Sequence, residues 1–185
     1  MSSSESSLPS AHEVVQFWQD AGPQAWFEKN RAFDTAFAQR FLPAHHAAAR
    51  RELEHWLDTP EGALALMILL DQLPRNAFRD SAHSYATDPL ALHYAQRAVT
   101  AGHDVQIVPA LRAFLYLPFE HSEDPTMQAR SVELFTALGE AEVLEYALAH
   151  QQVIVRFGRF PHRNRALGRE NTAEEQAWLE AGGGF

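Results

Sequence analysis

The chain has 185 residues, a mass of 20.8 kDa, no cysteine, a formal net charge of -9 and a sequence pI near 5.5. A chain of this length buries roughly 70% of the surface it exposes unfolded, enough for one self-sufficient core, and the missing cysteines exclude disulfides, thiolate chemistry and Cys-ligated metals. The acidic balance argues against nucleic-acid binding over the whole surface, since phosphate affinity needs clustered Lys and Arg, and the longest apolar run, Ala63 to Leu70, falls far short of the roughly 20 residues of a membrane span.

Residues 1–10, MSSSESSLPS, have neither the basic nor the apolar stretch of a secretory signal, and are expected to be a disordered lead-in to one helical domain over 11–185 of a cytoplasmic protein. From Ala11, Val14, Val15, Phe17 and Trp18 recur at helical spacing until Gly22 and Pro23 interrupt them. A short helical piece over 23–29 follows. Trp26, Phe27, Phe33, Phe37 and Phe41 then set large rings at near-helical spacing, the pattern of an aromatic core. Pro43 is expected to open the next helix, with Leu53, Trp56 and Leu57 as its apolar stripe. His45 and His46 point in different directions on such a helix, cannot chelate one ion well, and are expected at the surface.

Three later helices are each announced by a capping residue followed by proline: Thr59-Pro60, Asp88-Pro89 and Asp124-Pro125. Their spacings of 29 and 36 residues fit antiparallel helix pairs stacked as irregular repeats. The first helix, with GALALMILLDQL, is apolar on every face and is expected to form the hydrophobic centre. Asp71 and Gln72 lie on it, and a buried Asp71 needs a cation, either Arg75 one turn on or a distant arginine. Pro74 is expected to break this helix before Arg75, Asn76 and Arg79. The helix from Pro109 puts Arg112 and Tyr116 on one side and is expected to stop at Pro118, before the polar run Glu120, His121, Ser122, Glu123 and Asp124. Further helices carry Met127, Leu134, Phe135 and Leu138 inward, then Tyr146, His150, Val153 and Phe157 along one stripe. Thr172 and Glu175 form a capping-box pattern for a last short helix. No segment alternates as a strand would, so the class is all-α.

The densest polar chemistry is RFGRFPHRN, Arg156 to Asn164, inside a window from Gln151 to Arg169 with five arginines and no acid. One reading is an anion site of Arg75, Arg112, Arg156, Arg159 and Arg163, with Asn76, His162 and Asn164 as neutral donors. The favoured alternative pairs the same arginines internally with Asp71, Glu120, Glu123 and Asp124, in a buried polar network that includes Gln72 and Tyr116. A metal or acid–base site from His121, Glu123, Asp124, His150 and His162 lacks HExxH or comparable spacing, so no metal and no cofactor is assigned. His121, Glu123 and His162 remain the candidates for acid–base work. Single-stranded nucleic acid across Phe157, Arg159, Phe160, His162 and Arg163 is disfavoured, because the phenylalanines are more simply anchors on the core.

LLDQLPRNAFR, LRAFLYLPFEHSED and RFGRFPHRN together resemble the bacterial Domain of Unknown Function 924 family, over nearly the whole chain from Phe17-Trp18 to the Gly-rich end. The resemblance implies a helical fold similar to the tetratricopeptide-repeat superhelix and supplies no reaction, substrate or catalytic residue, so function must be argued from the site. The expectation is a short helical superhelix acting as a binding module, its arginine-lined concavity holding a small anionic ligand or an acidic protein segment. The rival is an enzyme acting on a small anionic substrate there, with His121 or His162 as acid–base and the arginines as clamps. An enzyme should bring histidines and carboxylates together in a closed site; an interaction module should show an open apolar groove.

Overall fold

In the computed structural model residues 8–185 are described, and the expected lead-in over 1–10 therefore falls mostly outside them. Ser10 starts α1 (Ala11–Phe27): its hydroxyl accepts from the Glu13 amide while the Glu13 carboxylate takes the Ser10 amide at 2.8 Å. Gly22, at φ 75°, kinks α1 ahead of Pro23. Asn30 caps α2 (Arg31–Ala49) by accepting from two amides.

Pro43 does not open a helix. It lies inside α2 on an exposed face, where the missing N–H leaves only a solvent-side carbonyl unbonded. Leu53, Trp56 and Leu57 consequently belong to the short 3-10 turn Glu54–Asp58 and the residue before it, instead of a helical stripe. His45 is fully buried, contrary to the surface placement expected, while His46 is exposed.

Thr59 caps α3 (Pro60–Met67) as expected, accepting from the Gly62 amide at 3.1 Å. Gly62 is obligatory there, because a Cβ would come 2.1 Å from the Trp56 carbonyl oxygen. The helix does not break at Pro74. It continues through a π turn, Ile68–Gln72, into α4 (Leu73–Ala77), forming one rod. Within the turn the Leu73 amide bonds Ile68 O, five residues back. That leaves Leu69 O without its usual donor, and Leu70 O lacks one because Pro74 has no N–H. Both carbonyls are satisfied from outside the rod: His45 Nδ1 donates to Leu69 O at 2.8 Å, and the Thr87 hydroxyl donates to Leu70 O. Burial of His45 follows from this need for a donor.

The chain continues through α5 (Asp88–Thr100), α6 (Pro109–Glu120), α7 (Pro125–Leu138), α8 (Ala141–Phe157), α9 (Asn164–Leu167) and α10 (Ala173–Glu180). Asp124 caps α7 through the Thr126 amide at 2.7 Å, as expected. Asp88 is not a cap; it is the first residue of α5 and spends its carboxylate elsewhere. Pro118 lies within α6 instead of ending it. Tyr146, expected on the inward stripe of α8, faces solvent.

The rod is the centre. Every residue from Ala63 to Leu70 is buried, α3 packs against α1, α5 and α6, α2 packs along the Ile68–Ala77 half, and α7 lies between α6 and α8. Trp26, Phe33, Phe37 and Phe41 lie in an aromatic cluster on one flank as expected, joined by Trp18 and Phe114, whereas Phe27, expected in that core, is exposed. Val153, Ile154 and Phe160 make a smaller core under the last helices. Among the described residues there is no strand, and no helix is long and apolar enough to cross a membrane.

Thr87→Val keeps the shape of the side chain and removes the donor to Leu70 O. We expect a loss of about 1 to 3 kcal/mol in urea denaturation; an unchanged midpoint would show that the π turn does not depend on this hydroxyl.

Candidate functional site

Asp71 lies in the π turn and is fully buried. Its carboxylate accepts from His121 Nδ1 at 2.7 Å and Gln72 Nε2 at 2.6 Å, and Arg75 Nη1 stands 3.2 Å away. Burial alone would push the Asp71 carboxyl up, but the charge of Arg75 and the bonds from His121 and Gln72 outweigh it and hold it below its ordinary value. Burial and the Arg75 charge push His121 down more strongly than Asp71 pulls it up. The imidazole is therefore neutral, Nδ1–H is given to the carboxylate, and the lone pair is left on Nε2.

Arg75 also donates to Asp71 O at 2.8 Å and forks onto Asp88 at 2.8 and 2.9 Å. Asp88 in turn accepts from Arg163 Nη1 at 3.2 Å, so one carboxylate joins the PRNAFR and RFGRFPHRN motifs. The Arg163 guanidinium lies 4.7 Å from the Tyr85 ring centroid and 4.5 Å from that of Phe160. Burial and the nearby Arg75 lower its pKa to about 10, which still leaves a cation at neutral pH. Its Nε is buried with no acceptor.

On the other side of this cluster are Glu120, His150 and His162. His150 Nδ1 lies 2.8 Å from Tyr146 O and 3.3 Å from Glu120 Oε1, and its ring is 6.1 Å from that of His121. A backbone carbonyl only accepts, so Nδ1 carries the proton and the lone pair of His150 is also on Nε2. Burial, with the Asp71 charge, pushes Glu120 up to about 8, and its Oε2 has no partner. Burial lowers His150 to about 3 and His162 to about 4; His162 Nδ1 is buried and unpaired. The Phe185 ring stacks on His150 at 3.6 Å.

The structure thus brings together Asp71, Gln72, Arg75, Glu120, His121, His162 and Arg163. Other expected members go elsewhere. Asn76 donates to Asp34 at 2.7 Å beside Arg79, pinning the rod to α2. The Tyr116 hydroxyl donates to Asp104 at 2.7 Å and Arg112 to Ile107 O at 3.1 Å, because side chains on a helix lean toward its N-terminus and carry both away from Glu120. Asp124 is spent on its cap. Arg156 pairs with Glu174 at the surface. Arg159 forks onto Glu175 at 2.6 and 2.8 Å. Asn164 and Glu123 are joined by Arg169, which bonds Asn164 Oδ1 and forks onto Glu123 at 2.8 and 2.9 Å. These last contacts fasten the end of the chain to the body.

Sequence reasoning missed Tyr85, Asp88, Arg169, Glu175 and Phe185. In the sequence Asp88 and Glu175 carry cap signals, although a carboxylate has more acceptor sites than a cap uses. Arg169 stood in the basic window already.

The three motifs that carry Asp71, Glu120, His121 and Arg163 lie within residues 14–183, which match the family described as bacterial protein of unknown function (DUF924). The chain belongs to the DUF924 family. It is similar to the solved structure of a protein of unknown function, ATU0120 from Agrobacterium tumefaciens, at 52% identity and a TM-score of 0.90, covering 92% of this chain and 97% of that one. No curated protein matches it.

In this DUF924 chain, Asp71→Ala removes the acceptor of His121 and Gln72 and leaves Arg75 with Asp88 as its one carboxylate partner. A destabilisation of about 3 to 5 kcal/mol is expected in chemical denaturation; an unchanged midpoint would refute the anchoring role. Glu120 generates a pH signature. Its folded value of about 8 exceeds the ordinary 4.5, so its contribution is full below about 4.5 and is lost as pH rises toward 8. His150 and His162, depressed from 6.5, contribute fully above 6.5 and lose stability as pH falls. Stability from the cluster should therefore peak near pH 6.5. In chelator-containing buffer, Glu120→Gln should flatten the decline between pH 6.5 and 8, which is up to about 1.4 kcal/mol per pH unit. An identical slope in the variant would contradict this assignment.

Proposed function

We propose that this DUF924 chain is an enzyme acting by acid–base chemistry on a small anionic molecule at the cluster of Glu120, His121, His150 and Arg163. The observation that carries the reading is the convergence of two neutral imidazoles and a buried carboxyl around the Asp71–His121 pair. Asp71 fixes the tautomer of His121, so its Nε2 lone pair is available to take a proton, while Glu120, held neutral by burial, can give one. Arg163 Nε and His162 Nδ1 are buried donors or acceptors without partners, and an anionic group would satisfy the guanidinium.

The interaction-module reading has weaker support, because Arg75, Arg156, Arg159 and Arg169 are spent on carboxylates of the same chain. The nucleic-acid reading loses its stacking platform, since Phe160 is fully buried and Arg159 is paired. The enzyme is read as a single helical domain of the cytoplasm. Neighbour-to-neighbour packing from α5 through α8 supports a short superhelix of tetratricopeptide type.

A panel of small anionic esters, phosphate monoesters included, tests the proposal. Turnover of at least one should fall by about 10²- to 10⁴-fold in His121→Asn and be lost in Arg163→Gln, while Arg156→Ala is unaffected. Absence of turnover across the panel, or turnover indifferent to His121→Asn, would overturn it.

A further inference from the structure

Glu120, His121 and His150 each offer a ligand-capable atom, and these atoms lie within 4.8 Å of one another. Glu120 is the last residue of α6 and His121 its C-cap; adjacent side chains inside a helix diverge, but these two bring ligand atoms within that distance, and His150 reaches them from α8. We propose that these three side chains form a binding site for a divalent transition ion of the zinc class, with Asp71 as the residue that orients His121.

Four features support the assignment. First, two imidazoles and one carboxylate are the ligand types and the number that catalytic zinc sites use, leaving one position open for a small molecule. Second, both imidazoles are held by their Nδ1 atoms: His121 by the Asp71 carboxylate at 2.7 Å and His150 by Tyr146 O at 2.8 Å. Each therefore presents an unprotonated Nε2, the form that coordinates a metal. A carboxylate or carbonyl on the far nitrogen is the usual outer support of a metal-bound histidine.

Third, Glu120 lacks good partners. Its Oε2 is buried with none, and its Oε1 lies 3.3 Å from His150 Nδ1, whose proton is already given to Tyr146 O. An N–H···O hydrogen bond is usually about 2.7 to 3.2 Å, so the Glu120–His150 contact alone does not satisfy the buried carboxyl. Fourth, the required closure is small. Ligand atoms about 2.0 to 2.2 Å from one tetrahedral ion stand roughly 3.4 Å apart, against 4.8 Å at most between the ligand-capable atoms of these side chains.

The inference deepens the enzyme reading by placing a Lewis acid at the same cluster, and it rests on that reading for the ion's purpose but not for its presence. With an ion bound, His121 and Glu120 are ligands instead of base and acid, and the ion would supply Lewis-acid chemistry in place of their proton transfer.

The test uses the full chain, stripped with chelator and labelled with ¹⁵N at histidine. Zn²⁺ titration should move the His121 and His150 Nε2 resonances at one equivalent, and Co²⁺ should give a visible absorption band with the same stoichiometry. Glu120→Gln and His150→Ala should weaken binding at least tenfold. Asp71→Asn should weaken it ten- to a hundredfold, and His83→Ala should leave it unchanged. His83 is the control because His45 Nε2 and His83 Nε2 lie 3.3 Å apart and make a competing two-histidine site. The wild-type spectra keep the test decisive if a variant fails to fold. Zn²⁺ that moves only the His45, His46 and His83 signals, or none, would overturn the site; so would wild-type affinity in both Glu120→Gln and His150→Ala. Ion uptake at His121 and His150 without turnover retains this inference and removes the enzyme reading. Turnover in stripped protein that takes up no ion does the reverse.

Discussion

The architecture depends on a carboxylate taken entirely out of water. Asp71 is tolerable at the centre of the helical rod because three side chains from two parts of the chain reach it: Gln72 and Arg75 from the rod itself, and His121 from beyond α6. A charge in such surroundings is stable only when hydrogen-bonded and countered by opposite charge. The position of α6 relative to the rod is therefore fixed by polar geometry as well as by apolar packing. Arg75 passes the constraint on to Asp88, and Asp88 passes it to Arg163. One chain of charges crosses from the hydrophobic centre to the last part of the sequence.

The π turn serves the same arrangement. A regular helix would have ended or kinked sharply at Pro74, because the ring clashes with the preceding turn and removes a donor. Widening the turn absorbs the proline, and the two freed carbonyls are bonded by His45 and Thr87. Such turns recur at functional positions. Here the turn carries both Asp71 and Gln72.

The helices were legible in the sequence wherever one local signal decided the outcome. Thr59, Asp124 and the Thr172–Glu175 pair cap as their spacing predicts, and the all-apolar run after Pro60 is the core. Prolines misled at Pro43, Pro74 and Pro118, because the cost of a proline inside a helix depends on whether other groups or solvent can satisfy the freed carbonyl. That is a tertiary fact. The candidate site was half legible: Asp71, Arg75, Glu120, His121, His162 and Arg163 stood out as polar residues beside apolar runs. Which arginine kept an unpaired donor could not be read, because Glu174 and Glu175 lie on a helix whose docking partner is set only in three dimensions. Asp88 was missed because a capping role had seemed to exhaust it.

Thr87 and Asp88 are neighbours with different tasks: one closes the backbone of the rod, the other holds Arg75 and Arg163 together. Two adjacent residues therefore tie a buried backbone bond of the rod to the charges of the cluster. Local opening of this stretch would release both at once, so core and site should share one protected unit in hydrogen exchange, with no separately melting lid. For a molecule approaching Arg163 the consequence is mechanical. Anything that draws Asp88 away pulls on the same short strap that keeps Leu70 O bonded.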